Sequence, residues 1–172
     1  MNVKTSLKGP LGPDRPLLAR WAPIPIRLIV GYGFMQHGYA KLLRGPDAFA
    51  AVLQGLHVPN PLLMSWATIL LELLGGLAFL LGAFVALASI PLAAVLLVAM
   101  FTVHLRYGFS SIKLLAVTPD GARFGPTGYE VVLLYLACMA GLLMGGCGPW
   151  SVDELRARRK MEDREAVLDS VR

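Results

Sequence analysis

The chain has 172 residues, the size of one ordinary domain. Hydrophobic residues make up 56% of it and charged residues only 16%, against about 25% in a soluble domain, and the charges gather near the ends. That balance disfavours a soluble globular enzyme. The net charge of +5 does not indicate nucleic-acid binding, because the basic residues flank apolar stretches, where retention of Lys and Arg on the cytoplasmic side explains them.

Residues 1–22 are polar and proline-rich, with Lys4, Lys8, Arg15 and Arg20 against the single acid Asp14. They lack an apolar run ending in a small-residue cleavage site, so no removable signal peptide is expected, and they read as a disordered cytoplasmic tail. Trp21 stands where an interfacial aromatic belongs. The first span covers about residues 24–43, IPIRLIVGYGFMQHGYAKLL. Pro25 suits a first helical turn, and Arg27 lies close enough to the end to snorkel. His37 and Lys41, four apart, share a face with Gly33, whose missing side chain permits close helix approach. Lys41 also reads as a snorkelling interfacial lysine.

Residues 44–61 are too polar and proline-broken to span, and predict a loop with one short interfacial turn around Asp47–Leu56. The second span, about residues 62–82, places one ionisable side chain, Glu72, near mid-membrane, where a carboxylate costs several kcal/mol unless accommodated. Ser65, Thr68, Glu72, Gly75 and Gly76 recur at three- or four-residue intervals, a polar and small stripe that turns toward neighbouring helices. Gly82–Ala83 is a tight turn into a third span, about residues 84–105. It contains Pro91, which predicts a mild kink, and His104, which closes it.

Residues 106–128 form the longest loop, with turn signals at PDG and GPTG around a surface or folded-back IKLLAV. The fourth span, about residues 127–146, opens with Glu130, favourable at a helix N-terminus. Ala137, Gly141 and Gly145 make two small-xxx-small steps, the pattern of a closely packed face. Cys138 and Cys147, nine positions apart, point to opposite sides of that helix, so no disulfide joins them on this reading. Ser151-Val-Asp-Glu154 is a capping box restarting a helix, and the basic cluster Arg156, Arg158, Arg159 and Lys160 suits an anionic cytoplasmic leaflet.

The expected fold is therefore all-α: an integral membrane four-helix bundle over residues 23–150, with a short charged cytoplasmic helix over residues 151–172. The excess of Lys and Arg at both ends puts both termini in the cytoplasm of a bacterial plasma membrane. Comparing depths then gathers His37, Lys41, Glu72, His104 and Glu130 from mid-membrane outward, the makings of a polar pocket open to the extracytoplasmic side. Glu72 is its deepest member, and a structural salt bridge with His37 or Lys41 stands beside a chemical role. Two histidines and two carboxylates on four different helices offer no metal-binding spacing, so no metal is assigned.

The runs RLIVGYGFMQHGYAKL, ILLELLGGLAFLLG, MFTVHLRYGF and GPTGYEVVLLYLA together resemble the DoxX family of small four-helix membrane proteins. The resemblance extends from about Arg27 to Asp153 and rests on HGxxK (His37, Gly38, Lys41), ExxGG (Glu72, Gly75, Gly76), His104, and GYE (Gly128, Tyr129, Glu130). It implies a membrane subunit of a redox system that handles a quinone, with His37 or Lys41 hydrogen-bonding a carbonyl oxygen and Glu72 relaying protons. No haem, flavin or iron–sulfur motif is present, so electrons would come from a protein partner in a redox complex. A non-enzymatic anchor or assembly partner for a soluble redox enzyme, using the charged tail, is the alternative, as is a small-solute or proton carrier. Oligomerisation is left open by the sequence.

Overall fold

The computed structural model describes residues 19–170. Most of the tail assigned to residues 1–22 lies outside the described residues; residues 19–21 are helical. Helix α1, Pro23–Arg44, opens with proline in its first turn and stops at Gly45, whose φ of 93° breaks the helix. Helix α2, Pro46–Gly55, is the short element expected near Asp47, and its buried Ala50 and Leu53 sit it on the helix that follows. Helix α3, Pro61–Leu81, ends at Gly82 in the left-handed conformation. Phe84, also left-handed, redirects the chain into α4, Val85–Ala99, which runs on through a π-helical turn, Met100–His104, and a 3-10 turn, Leu105–Tyr107.

The long loop then folds into an antiparallel hairpin, β1 (Leu114–Thr118) and β2 (Gly121–Phe124). Helix α5, Glu130–Gly145, and helix α6, Val152–Ser170, complete the chain. The sequence reading started the fourth span at about residue 127, but Gly128 and Tyr129 are drawn out of the helix. Their N–H groups donate to Ser110 O (3.0 Å) and Gly108 O (3.1 Å) instead.

Helix α1 packs on α3 and α5, and α4 packs on the same two, so the four close a ring. Inside it Val30, Phe34, Phe79, Val85, Leu92, Met139 and Leu142 form the core. The closest approach is between α1 and α3. A Cβ on Gly31 would lie 2.7 Å from Gly76 O, and one on Gly76 would lie 2.6 Å from Gly31 O. Small residues let two backbones meet there, as in helix pairs packed in lipid. Gly75 makes room for Leu92, and Gly33 for the Tyr135 ring. Gly141 and Gly145 do not follow the expectation: a Cβ on either would meet nothing within 4 Å. The spacing was right for a packed face, but α5 turns other residues inward.

Two helices, Pro61–Leu81 and Val85–Tyr107, are long and apolar enough to cross a membrane. Helix α5 is apolar but shorter. Leu70, Leu74, Leu77 and Leu81 form an exposed row on α3, and Leu87, Ile90, Leu97 and Phe101 do so on α4. Such contiguous apolar faces are rare in water and ordinary against lipid.

A candidate site between the helices

The site begins with Gly38. Its Cα presses against α3, where a Cβ would fall 3.1 Å from both Glu72 Cβ and Ile69 O. Gly38 thus fixes Glu72 at its own level. Three residues on, about 4.5 Å further along α1, Lys41 turns its side chain back to that level. Lys41 Nζ donates to both Glu72 oxygens, each at 2.6 Å. The Glu72 side chain is only 5% exposed and that of Lys41 24%, so the pair is sheltered at its acidic end and open at its basic one. The same Nζ lies 5.2 Å from the centre of the Phe49 ring on α2, a cation–π contact. Lys41 therefore reaches inward to a partner; its snorkelling reading fails because Glu72 lies within its reach.

Beside this pair is a cavity of about 290 Å³. His37, Lys41, Glu72 and His104 line it together with Tyr135, Thr127 and Gly128, and Phe34, Val95, Leu96, Ala99, Val131 and Val132 supply its apolar walls. Four of the five residues picked from the sequence thus share one space. His104 is delivered by the π-helical turn; such turns recur at functional sites. Its Nδ1 sits 3.1 Å from Thr127 O. A carbonyl only accepts, so Nδ1 is the donor in this contact. His37 has no hydrogen-bond partner among the described residues, and its ring meets that of Tyr135 at 6.1 Å.

Glu130 is the exception. Its carboxylate accepts the Ser111 N–H at 2.9 Å, while its own N–H donates to Phe109 O at 3.0 Å. It pins the root of the hairpin at the start of α5 and is not among the residues lining the cavity. Tyr135 is the residue the sequence reading missed. The available signal was Gly33, four residues before His37 on the same face: a gap there needs a ring from another helix.

A second buried charge lies at the other end of α1. Arg27 was expected to snorkel, but it is 5% exposed. Its guanidinium donates to Cys147 O at 3.1 Å and to Trp150 O at 3.2 Å, holding the chain after α5 against the ring of helices. Asp153 adds to this closure. Its carboxylate accepts the N–H groups of Phe84 (2.8 Å) and Val85 (3.0 Å), capping α4, and its own N–H donates to Gly82 O at 2.9 Å. Ser151 Oγ accepts the Glu154 N–H at 3.2 Å, as the capping box requires. Trp21 and Trp150 meet edge to face at 4.9 Å beside it.

Among the described residues, no three His, Cys, Asp or Glu side chains gather as metal ligands would. No curated protein and no solved structure matches the chain. A family model does match, that of DoxX, over residues 22–105. The matched stretch contains α1 to α4 and four of the cavity's ionisable side chains, His37, Lys41, Glu72 and His104. It stops short of the α5 motif, whose Tyr135 joins the site through packing. Residues 22–105 are thus similar to the DoxX domain of membrane proteins, and two of the helices, Pro61–Leu81 and Val85–Tyr107, are long and apolar enough to cross a membrane.

Proposed function

We propose that the chain is the membrane subunit of a redox system and that the cavity between its helices receives the headgroup of a quinone. The observation that carries this is the joining of a tightly paired Lys41–Glu72, two histidines and a tyrosine to an apolar chamber. At about 290 Å³ the chamber is at or below the lower end of small-molecule pockets, roughly 300–1,000 Å³, so it suits a polar headgroup whose tail stays in lipid. The DoxX domain, linked with membrane-associated redox or stress roles, supports the same reading.

A bound quinone supplies the two-electron acceptor, and a partner redox protein supplies the electrons. This chain's residues handle orientation and protons. Lys41 Nζ lines the chamber and can hydrogen-bond a carbonyl oxygen; His37 can do the same when the proton is on the facing nitrogen. Glu72, otherwise held by Lys41 alone among the described residues, is free to accept a proton when Lys41 is drawn toward a ligand. Tyr135 and Phe34, edge to face at 5.3 Å, wall off the chamber on one side.

In this reading α1, α3, α4 and α5 form a multi-pass bundle in a bacterial plasma membrane. Both termini are cytoplasmic, following the basic residues, and the cavity opens toward the opposite side. A short-tailed photoreactive quinone tests it: light-dependent labelling should map to residues around Val95, Ala99 and Val131 and be suppressed by excess unlabelled quinone. Labelling spread evenly over lipid-facing leucines refutes it.

One observation favours a role in assembly beside this. From Leu155 to Glu165 α6 is exposed and highly charged, with Arg156, Arg158, Arg159 and Lys160 close together. It is an available handle for a soluble partner. Because Ser151 and Asp153 belong to the bundle's closure, truncation should begin after Ala157. Loss of partner recovery with an unchanged bundle supports the handle, and unchanged recovery removes it.

A further inference from the structure

The hairpin of residues 114–124 carries an exposed surface that the cavity does not explain. Residues opposite each other in an antiparallel pair point to the same face, and neighbours along a strand alternate. Leu114 pairs with Phe124, Ala116 with Arg123, Val117 with Ala122 and Thr118 with Gly121, the extra residue Leu115 forming an irregularity between the first two pairs. On β2 the alternation puts Ala122 and Phe124 on one face and Arg123 on the other. Their partners follow, so Leu114, Val117, Ala122 and Phe124 share one face, and Ala116, Thr118 and Arg123 share the opposite one. Without the extra residue Leu114 would fall out of step with Phe124. Leu114 is 56% exposed, Val117 76% and Phe124 60%.

We infer that this apolar face lies in the membrane, seated in the lipid leaflet at the His104 end. Three observations name lipid as the occupant. The first is length. Helix α5 has 16 residues, about 24 Å against a hydrocarbon core of about 30 Å. Its far end, at Gly146, shares a groove with Val85 and Ala86 at the start of α4, so the shortfall falls at the Glu130 end. The hairpin root therefore sits at membrane depth. The second is backbone satisfaction, which lipid demands of any non-helical segment. The root N–H groups of Gly128, Tyr129 and Glu130 all donate to carbonyls of residues 108–110, and that of Ser111 donates to Glu130; the strands pair only along their facing edges, so their open outer edges sit among headgroups and water while the apolar face dips into the leaflet. The third is charge. Across residues 106–128 the basic Arg106, Lys113 and Arg123 face one acid, Asp120; Lys113 donates to Tyr107 O, and the exposed Arg106 and Arg123 suit lipid phosphates at the interface. The hairpin thus completes the short fourth helix in place of further helical turns. Because its roots, His104 and Thr127, line the cavity, it also holds the cavity mouth at the lipid interface.

Nitroxide accessibility tests this directly. Single cysteines at Val117 and, on the opposite face, at Arg123 are introduced into a variant with Cys138 and Cys147 replaced by alanine. Each is labelled in the full chain reconstituted in vesicles containing anionic lipid. Relaxation by oxygen, which partitions into lipid, should exceed relaxation by a water-soluble nickel chelate severalfold at position 117, with the order reversed at 123. Both residues are exposed, so labelling leaves the fold intact, and unchanged circular dichroism checks it. A nickel-dominated signal at position 117 overturns the proposal, placing the hairpin in water. A label there that is immobile and shielded from both reagents also overturns it, showing that a protein surface covers the face.

Discussion

Helix α1 carries two charges into the ring of helices, and they are accommodated in opposite ways. Arg27 has no carboxylate partner among the described hydrogen bonds; two backbone carbonyls 120 and 123 residues away accept from it, and Gly82 leaves no room for a side chain between it and Ser151. Lys41 has a full counter-charge in Glu72, yet the space beside the pair is left open. Burying a charge is costly in either place. At Arg27 both terminal nitrogens are spent on closing the chain onto itself, which is what a structural clamp needs, while Nε is buried without a partner. At Lys41 the charges are paired but the packing is withheld, which is what a binding site needs. The difference lies in the neighbouring volume rather than in the ionisable groups.

The contrast can be broken by substitution. The largest effect is expected for Lys41→Met, which leaves Glu72 buried and unpaired; removing one partner of a buried pair costs about 3–5 kcal/mol. Thermal unfolding in detergent checks it. Replacing both partners, as in Lys41→Met with Glu72→Leu, should restore most of that stability while abolishing ligand binding. A double variant as unstable as the single one would make the pair structural. Arg27→Met comes next, with a loss of about 3 kcal/mol from two charge-assisted hydrogen bonds and two stranded carbonyls. It should also speed tryptic cleavage within Arg156–Lys160, a change that Lys41→Met should not share.

Gly76→Ala sharpens the same comparison at the helix crossing below the pair. The added methyl meets the Gly31 carbonyl and the Met35 backbone, so a loss of about 1–3 kcal/mol is expected. Gly141→Ala meets nothing and should stay within about 0.5 kcal/mol of the parent. A destabilised Gly141→Ala in detergent would show that α5 packs against a second molecule.

The cavity was readable because its members sit on regular helices. A stripe at three- and four-residue intervals puts Glu72 inward, and antiparallel depth counting brings His37, Lys41 and His104 to meet it. The Gly82–Ala83 turn and the Ser151 cap were readable for the same reason, each being a local signal. What escaped depends on contacts across long separations. Arg27 looks like a snorkelling residue until the chain after Gly145 folds back over it. Glu130 has the composition of a pocket residue, but Ser111, nineteen positions earlier, claims its carboxylate. The hairpin hides in IKLLAV because an apolar run without a partner strand carries no register. Gly141 and Gly145 mislead because small-residue spacing says that a face can pack closely, without saying that it does.

Binding of a short-tailed quinone to the intact chain in nanodiscs, measured side by side for the parent and for Glu72→Gln, tests the central claim most directly. Lys41 keeps about a quarter of its side chain exposed and can turn outward, so Glu72→Gln should preserve the fold and the unfolding temperature should report this. The expected result is saturable binding to the parent that weakens at least about tenfold, some 1.4 kcal/mol, in the variant at matched unfolding temperature. No saturable binding to the parent, or equal binding to both, would contradict the account and leave Lys41–Glu72 as a lock between two helices.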